Sequence, residues 1–213
     1  MTRRRAYAYL LGQYLGDGYL AMHRRDVTRL RIVCGNDWPA VLDRVARSME
    51  VVLPNNVVGY VPRQGCVEVG MYSKRWPALI PQHGRGRKHL RKIELSPWQR
   101  PIVLGDHARE FVCGLIHSDG CRTINRVVTR GRPYEYPRYY FSNRSEDIHA
   151  LLREALTVHG VRTTRTGWHQ NVSRRHDVEL LDRWGADKAS TWPVEEGCPG
   201  RDSNPHGPKT NGV

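Results

Sequence analysis

Along the first 80 residues, apolar positions recur with a helical period in some stretches and alternate with polar positions in others. Three stretches have the helical period, and two pairs of alternating, extended stretches lie between them. Asn36 or Asp37 caps the second helix, and Ser73 caps the third. The pattern predicts the order helix, two strands, helix, two strands, helix, over residues 5–15, 19–23, 28–34, 38–49, 57–61, 66–71 and 73–80.

The second half of the chain repeats this order. A helix at 107–118 precedes a strand, a turn rich in Gly, Pro and Arg, and a second strand that carries Tyr139 and Tyr140. Ser145 caps an amphipathic helix that ends at Gly160. The predicted elements after the first helix are 121–128, 137–141, 145–158, 161–166, 170–173 and 178–184. Aligning the two halves requires a shift of about five residues, which predicts a longer loop between the first two strands of the second half.

These patterns predict an α+β fold of two pseudo-symmetric αββαββα repeats. The expected boundaries are 1–80 for the first repeat, 81–104 for a basic linker and 105–190 for the second repeat. Residues 191–213 are rich in Pro and Gly without an apolar period, so we expect a disordered tail.

One stretch occurs twice with its glycines in register. Residues 9–18 read YLLGQYLGDG and residues 111–120 read FVCGLIHSDG, so Asp17 matches Asp119 at an offset of 102 residues. Gly18 and Gly120 are expected to adopt the left-handed conformation that ends many helices. Small residues four apart share one helix face and let two helices approach closely, which predicts a helix interface formed by Gly12, Gly16, Gly114 and Ser118.

If the two helices pack side by side, Asp17 and Asp119 emerge together at one end. Two adjacent carboxylates repel each other unless a cation lies between them, and carboxylate oxygens are ligands that Mg²⁺ prefers. The repeat therefore predicts a paired-carboxylate Mg²⁺ site on a pseudo-twofold axis. The alternative interpretation is a pair of amphipathic core helices whose GDG and SDG endings arose by chance.

The two stretches resemble the nine-residue motif of the LAGLIDADG homing endonuclease family, in its two-motif, single-chain form. LLGQYLGDG at 10–18 and VCGLIHSDG at 112–120 align with the motif without gaps, although Leu15 and His117 stand where the family usually has an acid. The resemblance implies that Asp17 and Asp119 bind Mg²⁺, with Mn²⁺ as a substitute. It also implies a monomer with an internal pseudo-twofold that hydrolyses one strand of double-stranded DNA per carboxylate, across the minor groove of a long asymmetric site.

The charge of the chain agrees with a nucleic-acid partner. The formal net charge is +13, with 29 Arg and 5 Lys. A GC-rich genome explains Arg in place of Lys but not the excess of positive charge. In the resembled family, two antiparallel sheets form a saddle on the major groove. The arginines expected to contact guanine and phosphate there are Arg24, Arg25, Arg29, Arg31, Arg63, Arg122, Arg126, Arg130, Arg138 and Arg165.

Further basic residues flank the strands and fill the linker. A nearby cation often assists such hydrolysis, and the predicted catalytic candidates are Lys74, after the last strand of the first half, and Arg174 or Arg175, at the corresponding place in the second. Phosphate anchoring is the alternative role for both. The basic run of the linker carries Arg85, Arg87, Lys88, Arg91 and Lys92, and it fits either a solvated loop or a strap that follows phosphates.

The cysteines and the hydropathy bear on the compartment. Five cysteines at no framework spacing indicate reduced thiols, so we expect a cytoplasmic protein, nucleoid-associated in a bacterium or phage. Cys113, His117 and Cys121 lie four apart like a metal trio, but a fourth ligand is missing, which favours core and loop thiols. No apolar run reaches the ~18 residues of a membrane span, and the N-terminal MTRRR does not begin a signal peptide.

The predicted function is a metal-dependent, site-specific double-strand DNA endonuclease of a mobile element. Two alternatives stay open: a non-cleaving, DNA-binding transcriptional regulator on the same scaffold, and an RNA maturase that assists intron splicing. The presence of both Asp17 and Asp119 favours the endonuclease.

Overall fold

The computed structural model describes residues 1–190 and has the predicted order of elements in both halves. The predicted α+β class is confirmed, and no helix in this part of the chain is long and apolar enough to cross a membrane. The tail at 191–213 lies outside the described residues.

The first unit comprises α1 (Arg3–Asp17), β1 (Gly18–Met22), β2 (Thr28–Gly35), α2 (Pro39–Val52), β3 (Val58–Arg63), β4 (Cys66–Ser73) and α3 (Trp76–Leu79). The second comprises α4 (Ala108–Asp119), β5 (Gly120–Thr129), β6 (Arg132–Ser142), α5 (Glu146–Thr157), β7 (Thr164–Thr166), β8 (His169–Val172) and α6 (Arg175–Arg183).

Each unit contains a four-stranded antiparallel sheet, ordered β1-β2-β4-β3 in the first and β5-β6-β8-β7 in the second. Alternation along the strands separates the two faces of each sheet. In β2, Leu30 and Ile32 are fully buried on the side of the helices, and in β6 Tyr139 and Phe141 take the same side. We call the opposite side of each sheet its open face.

The two units meet through α1 and α4, whose backbones touch. A Cβ at Gly12 would lie 2.5 Å from the carbonyl oxygen of Phe111, and one at Gly114 would collide with the carbonyl oxygen of Tyr9. A Cβ at Gly16 would collide with the side chain of Ser118. The four small residues of the repeated stretch therefore lie where the helices are closest, and larger side chains there would force the units apart.

The glycines that end α1 and α4 are not left-handed, which corrects the expectation for Gly18 and Gly120. Their φ angles are −88° and −110°, so the chain runs directly from each helix into a strand. A side chain is excluded by space: a Cβ at Gly120 would lie 2.8 Å from the Cα of Ile116, and one at Gly18 would collide with Tyr14.

His117, which stands at an acid position of the motif, is a buried structural residue. Its Nε2 lies 2.9 Å from the carbonyl oxygen of Gly185, and its Nδ1 lies 2.9 Å from the hydroxyl of Tyr9. Because a carbonyl oxygen only accepts, Nε2 carries the proton and Nδ1 accepts from Tyr9. Burial lowers the pKa of His117 to about 3, so the ring is neutral. Cys113 is buried and Cys121 is exposed, and no cluster of three or more metal-ligating side chains occurs within residues 1–190.

The loop between β5 and β6 is short, which corrects the prediction of a longer one. The strands continue to a two-residue turn at Arg130 and Gly131, whose φ angles are 52° and 74°. The additional residues of the second half lengthen the strands instead. Pro133 and Pro137 lie in the part of β6 that has no strand on its other side, where a missing backbone N–H costs no ladder hydrogen bond.

The segment between the units is packed against both of them. Gln82 and Gln99 are buried and hydrogen-bonded to each other at 2.6 Å. Gln99 Nε2 also donates to the hydroxyl of Tyr7 in α1 at 2.5 Å, and the backbone N–H of Ile93 donates to Asp147 Oδ2 at the start of α5 at 2.7 Å. The predicted linker is thus held in place, and it carries Lys88 to the end of α1.

Candidate active site

Asp17 ends α1 and Asp119 ends α4, so the contact between these helices brings both carboxyl groups to one end of the interface. A Cβ at Gly16 would lie 3.0 Å from Asp119 Oδ2, which shows how close the second carboxylate comes to the first helix. Burial raises the pKa of both groups, and the charge on Asp17 raises the pKa of Asp119 further, to about 6. The pair therefore carries an electrostatic cost that a bound cation would relieve.

Two lysines direct ammonium groups at the same end of the helices. Lys88 Nζ donates to the carbonyl oxygen of Gly16 at 2.6 Å and also to that of Tyr14. Lys188 Nζ donates to the carbonyl oxygen of Ser118 at 3.0 Å. Gly16 and Ser118 are the equivalent residues that precede the two aspartates, so the lysines form a pseudo-twofold pair. Burial lowers the pKa of Lys88 to about 8, although both aspartates raise it.

The cations beside the carboxylates differ from the predicted ones. Lys74 is exposed between β4 and α3, and Arg174 is exposed at the N-cap of α6. The charges that lower the pKa values of Asp17 and Asp119 come instead from Lys88 and Lys188. The reason is topological. Lys74 and Arg174 precede the short helices α3 and α6, whereas Lys88 and Lys188 follow them. After each of these helices the chain passes the carboxyl end of α1 or α4.

Asn143 orients the carboxylate of Asp119. Its Nδ2 donates to Asp119 Oδ2 at 2.6 Å, while its Oδ1 accepts from the N–H of Ser145 at 2.8 Å. His149 Nε2 lies 2.8 Å from the Asn143 carbonyl oxygen. The equivalent residue after β2 is Asn36, which is exposed. Sequence analysis did not identify Asn143. The available signal was an asparagine at the same place in both halves, since Asn36 follows the last residue of β2 and Asn143 follows the last residue of β6.

A cavity of about 510 Å³ opens beside Asp119. Its wall includes Lys88, Arg144, Trp168 and His169, and the guanidinium of Arg144 lies 4.5 Å from the ring centroid of Trp168. Ser142 Oγ lies 2.7 Å from His169 Nδ1. Cationic and hydrogen-bonding groups next to a carboxylate suit a phosphate whose charge is shared with a metal ion.

The donor set fits a hard divalent cation. The carboxylates of Asp17 and Asp119 and the carbonyl oxygens of Gly16 and Ser118 are all oxygen ligands. Each of the two carbonyls already accepts a hydrogen bond from a positively charged lysine ammonium group. Mg²⁺ is commonly held by one or two carboxylates, with waters and substrate phosphates as the other ligands. Two carboxylates are therefore sufficient for this chemistry.

On the open face of the first sheet, two predicted arginines form an ordered cluster. Arg29 Nη1 lies 2.9 Å from Glu68 Oε1, and Arg31 Nη1 lies 3.4 Å from Glu68 Oε2. The Arg29 guanidinium lies 5.4 Å from the ring centroid of Tyr72, and that of Arg31 lies 5.3 Å from the ring centroid of Tyr19. Both tyrosines are about half exposed, so the face presents guanidinium and phenol groups together.

Of the other predicted arginines, one lies on an open face and four lie at strand ends. Arg138 is on the open face of the second sheet, 4.1 Å from the ring centroid of Tyr140. The four at turns and strand ends are exposed: Arg24, Arg25, Arg63 and Arg130.

Three arginines predicted to contact DNA lie on the side of the second sheet opposite to its open face. Arg122 is opposite the buried Tyr139 and binds Asp182 of α6 at 2.8 Å. Arg165 binds Glu146 of α5 with two hydrogen bonds of 2.5 Å, and Arg126, in phase with Arg122, binds its neighbour Glu135 at 2.7 Å. We therefore remove Arg122, Arg126 and Arg165 from the candidate DNA interface. A shift of one residue in the pleat reverses the face, and the sequence did not determine that phase.

Comparisons with known proteins agree with this geometry. No family model matches the chain, and no curated protein matches it. Solved structures do match: that of I-DmoI in complex with DNA and Ca is 18% identical, with 86% of this chain and 90% of that chain covered and a TM-score of 0.56. The LAGLIDADG meganuclease I-AabMI bound to uncleaved DNA is 12% identical, with coverages of 84% and 82% and a TM-score of 0.52. The N-terminal LAGLIDADG domain of WhiA is 14% identical, with coverages of 87% and 83% and a TM-score of 0.51. The resemblance found in the two repeated stretches is confirmed at the level of the fold: this chain has the LAGLIDADG homing endonuclease fold.

Proposed function

We propose that this protein is a site-specific double-strand DNA endonuclease that uses a divalent cation, of the kind that mobile elements carry. The observation that supports the proposal is the pair of buried carboxylates, Asp17 and Asp119, at one end of a helix interface. A lysine ammonium group donates to the backbone carbonyl oxygen of the residue before each aspartate. A pair of purely structural helix ends would have no need for four ionisable groups in one partly buried place.

Each ionisable group has a role in phosphodiester hydrolysis. Asp17 and Asp119 would hold Mg²⁺ or Mn²⁺, which when bound supplies a Lewis acid for the phosphate and lowers the pKa of a water. Lys88 and Lys188 would stabilise negative charge on the phosphate oxygens. Because the pKa of Lys88 is about 8, its Nζ can also take up or release a proton near neutral pH. Asn143 would keep Asp119 in one orientation.

Double-stranded DNA is the proposed partner. Arg29, Arg31 and Arg138 lie on the open faces, and β-strands are among the elements that contact base edges in the major groove. Two neighbours with this fold, I-DmoI and I-AabMI, are bound to DNA in their structures. The formal net charge of +13 predicts binding that weakens steeply with salt, because each phosphate contact releases counterions.

The test is selection of bound and of cut molecules from a randomised duplex library, in Mg²⁺ and separately in Ca²⁺. Cutting of one long site in Mg²⁺ is expected for the unaltered protein. Asp17→Asn and Asp119→Asn should each abolish double-strand cleavage and leave binding in place. Asp43→Asn is the matched control, since Asp43 is exposed on α2, and it should cut normally.

Two other results would assign the protein elsewhere. Sequence-specific capture without cutting in either metal would make it a DNA-binding regulator. Failure to bind any duplex, together with binding of a structured intron RNA, would support the maturase.

A further inference from the structure

The second sheet carries a two-stranded projection that the first sheet lacks. β5 and β6 pair over ten positions, from Gly120↔Phe141 to Thr129↔Arg132. β8 pairs only with the last four residues of β6, Tyr139–Ser142, so seven of the ten pairs have no third strand beside them. We call residues 123–138 the ribbon. In the first sheet, every β2 residue that pairs with β1 also pairs with β4.

The two faces of the ribbon differ in chemistry. The face that continues the open face has hydrogen-bonding side chains around one apolar residue, Val127, and Asn125 Nδ2 donates to the Tyr136 hydroxyl across the strands at 2.5 Å. The opposite face has Ile124, Val128 and two prolines around the ion pair of Arg126 with Glu135. The polar residues that the first face presents are Thr123, Asn125, Thr129, Arg132, Tyr134, Tyr136 and Arg138.

The charge of the ribbon is one-sided as well. Residues 120–142 contain five arginines and a single acid, Glu135. Glu135 lies on the apolar face, where Arg126 neutralises it. The open-face side therefore has Arg132 and Arg138 without a carboxylate on these two strands, which suits a polyanion and not an acidic or apolar protein surface.

We propose that the ribbon extends the DNA half-site that the second unit contacts beyond the half-site that the first unit contacts. A two-stranded β-ribbon is one of the elements that the major groove admits. Six steps of about 3.4 Å along the strands give about 20 Å, which corresponds to about six base pairs at ~3.4 Å each. The inference rests on the proposed DNA-binding function. It adds that the target extends further on the Asp119 side of the cut than on the Asp17 side.

The experiment is a hydroxyl-radical footprint of the full chain on its selected site in Ca²⁺, with the cut position mapped separately in Mg²⁺. The protected region should extend about six base pairs further on one side of the cut. A variant in which residues 126–135 are replaced by Asn-Gly should lose that extension and keep the rest of the footprint, because the two-residue turn would then join Asn125 directly to Tyr136. A footprint with equal arms, or one that the deletion does not shorten, overturns the inference.

Point variants test the assigned face without altering the backbone. Arg132→Ala, on the open-face side, should weaken binding by about five- to 150-fold, the range for loss of one good contact to DNA. Arg126→Ala, on the opposite face, should change binding less than twofold. Equal effects would overturn the assignment of the faces. If the unaltered protein binds no duplex at all, the proposed function itself fails, which is a different result from a symmetric footprint.

Discussion

Asp119→Asn should stabilise the metal-free protein even though it removes a proposed catalytic residue. Burial and the charge on Asp17 raise the pKa of Asp119 from 3.8 to about 6. At about 1.36 kcal/mol per pKa unit, the ionised carboxylate costs the folded state about 3 kcal/mol. Asparagine removes this charge, and its oxygen can still accept from Asn143 Nδ2, so the weakened hydrogen bond costs only about 1 kcal/mol. The expected net gain in the free energy of unfolding is about 2 kcal/mol.

The size of this difference in stability depends on pH. The folded-state pKa of Asp119 lies above the unfolded value, so the penalty is absent below pH 3.8, grows as the pH rises towards about 6, and is complete above that. The difference between the variant and the unaltered protein should therefore be largest at pH 8 and small at pH 4.

Thermal unfolding in EDTA measures the difference. A gain of 2 kcal/mol corresponds to a rise in Tm of about 4–8 °C for a chain of this size. Asp182→Asn is the matched control: although burial raises the pKa of Asp182, hydrogen bonds from Arg122 and Tyr139 lower it overall, so this variant should be less stable at pH 8. An Asp119→Asn protein that melts at or below the unaltered Tm at pH 8 would refute the view that the two carboxylates repel each other in a buried site.

Added Mg²⁺ should reverse the order of stability. A cation that binds only the folded state raises its stability in proportion to the logarithm of its concentration above Kd. The unaltered protein has both carboxylates for this purpose, whereas Asp119→Asn has one. The Tm of the unaltered protein should rise with Mg²⁺ and that of the variant should rise less.

Three further predictions follow from the contacts described above. Gly12→Ala should destabilise the protein by about 1–3 kcal/mol or more, because its Cβ would meet the backbone of α4, whereas Gly59→Ala, whose added Cβ would find its nearest atom, the carbonyl oxygen of Gly70, at 3.9 Å, should change Tm little. Stability should fall as the pH drops below about 6.5 towards 3, because His117 is buried without charge and is protonated more readily in the unfolded chain. In urea titrations, the stability of His117→Gln should depend less on pH than that of the unaltered protein. Arg122→Ala should cost about 1 kcal/mol of stability and leave DNA affinity unchanged, whereas Arg138→Ala should lower the affinity measured by gel shift.

The order of elements was predictable because it depends on local periodicity and on one internal repeat. The paired aspartates followed from the same repeat, since two helices with small residues four apart have one close way to pack. The longer β5–β6 hairpin was not predicted, because Pro133 and Pro137 resemble loop residues until the strand is known to lack a second neighbour. Local composition does not contain that information.

The faces of the strands were only partly predictable. In β2, Leu30 and Ile32 fix the phase, and Arg29 and Arg31 then lie on the open face. In the ribbon, apolar residues occur on both faces, and both Ile124 and Val127 are exposed. The pattern there has no buried side to define the phase, which is why the sequence did not place Arg126 on the face away from the proposed DNA interface.

The lysines show what kind of signal the repeat could not supply. Lys88 and Lys188 lie 100 residues apart, whereas Asp17 and Asp119 lie 102 residues apart. The lysines therefore do not fall at equivalent positions when the two halves are aligned on α1 and α4. Their position depends on how the chain returns after each short helix, which is a tertiary property. Composition does contain a hint: in a chain with 29 Arg and 5 Lys, two of the lysines lie beside the two carboxylates. A compact ammonium with rotatable donors can donate to a backbone carbonyl in a partly buried place, and the pKa of lysine falls on burial while arginine stays charged. Replacing both lysines with Arg should therefore impair cleavage more than DNA binding, even though the net charge is unchanged.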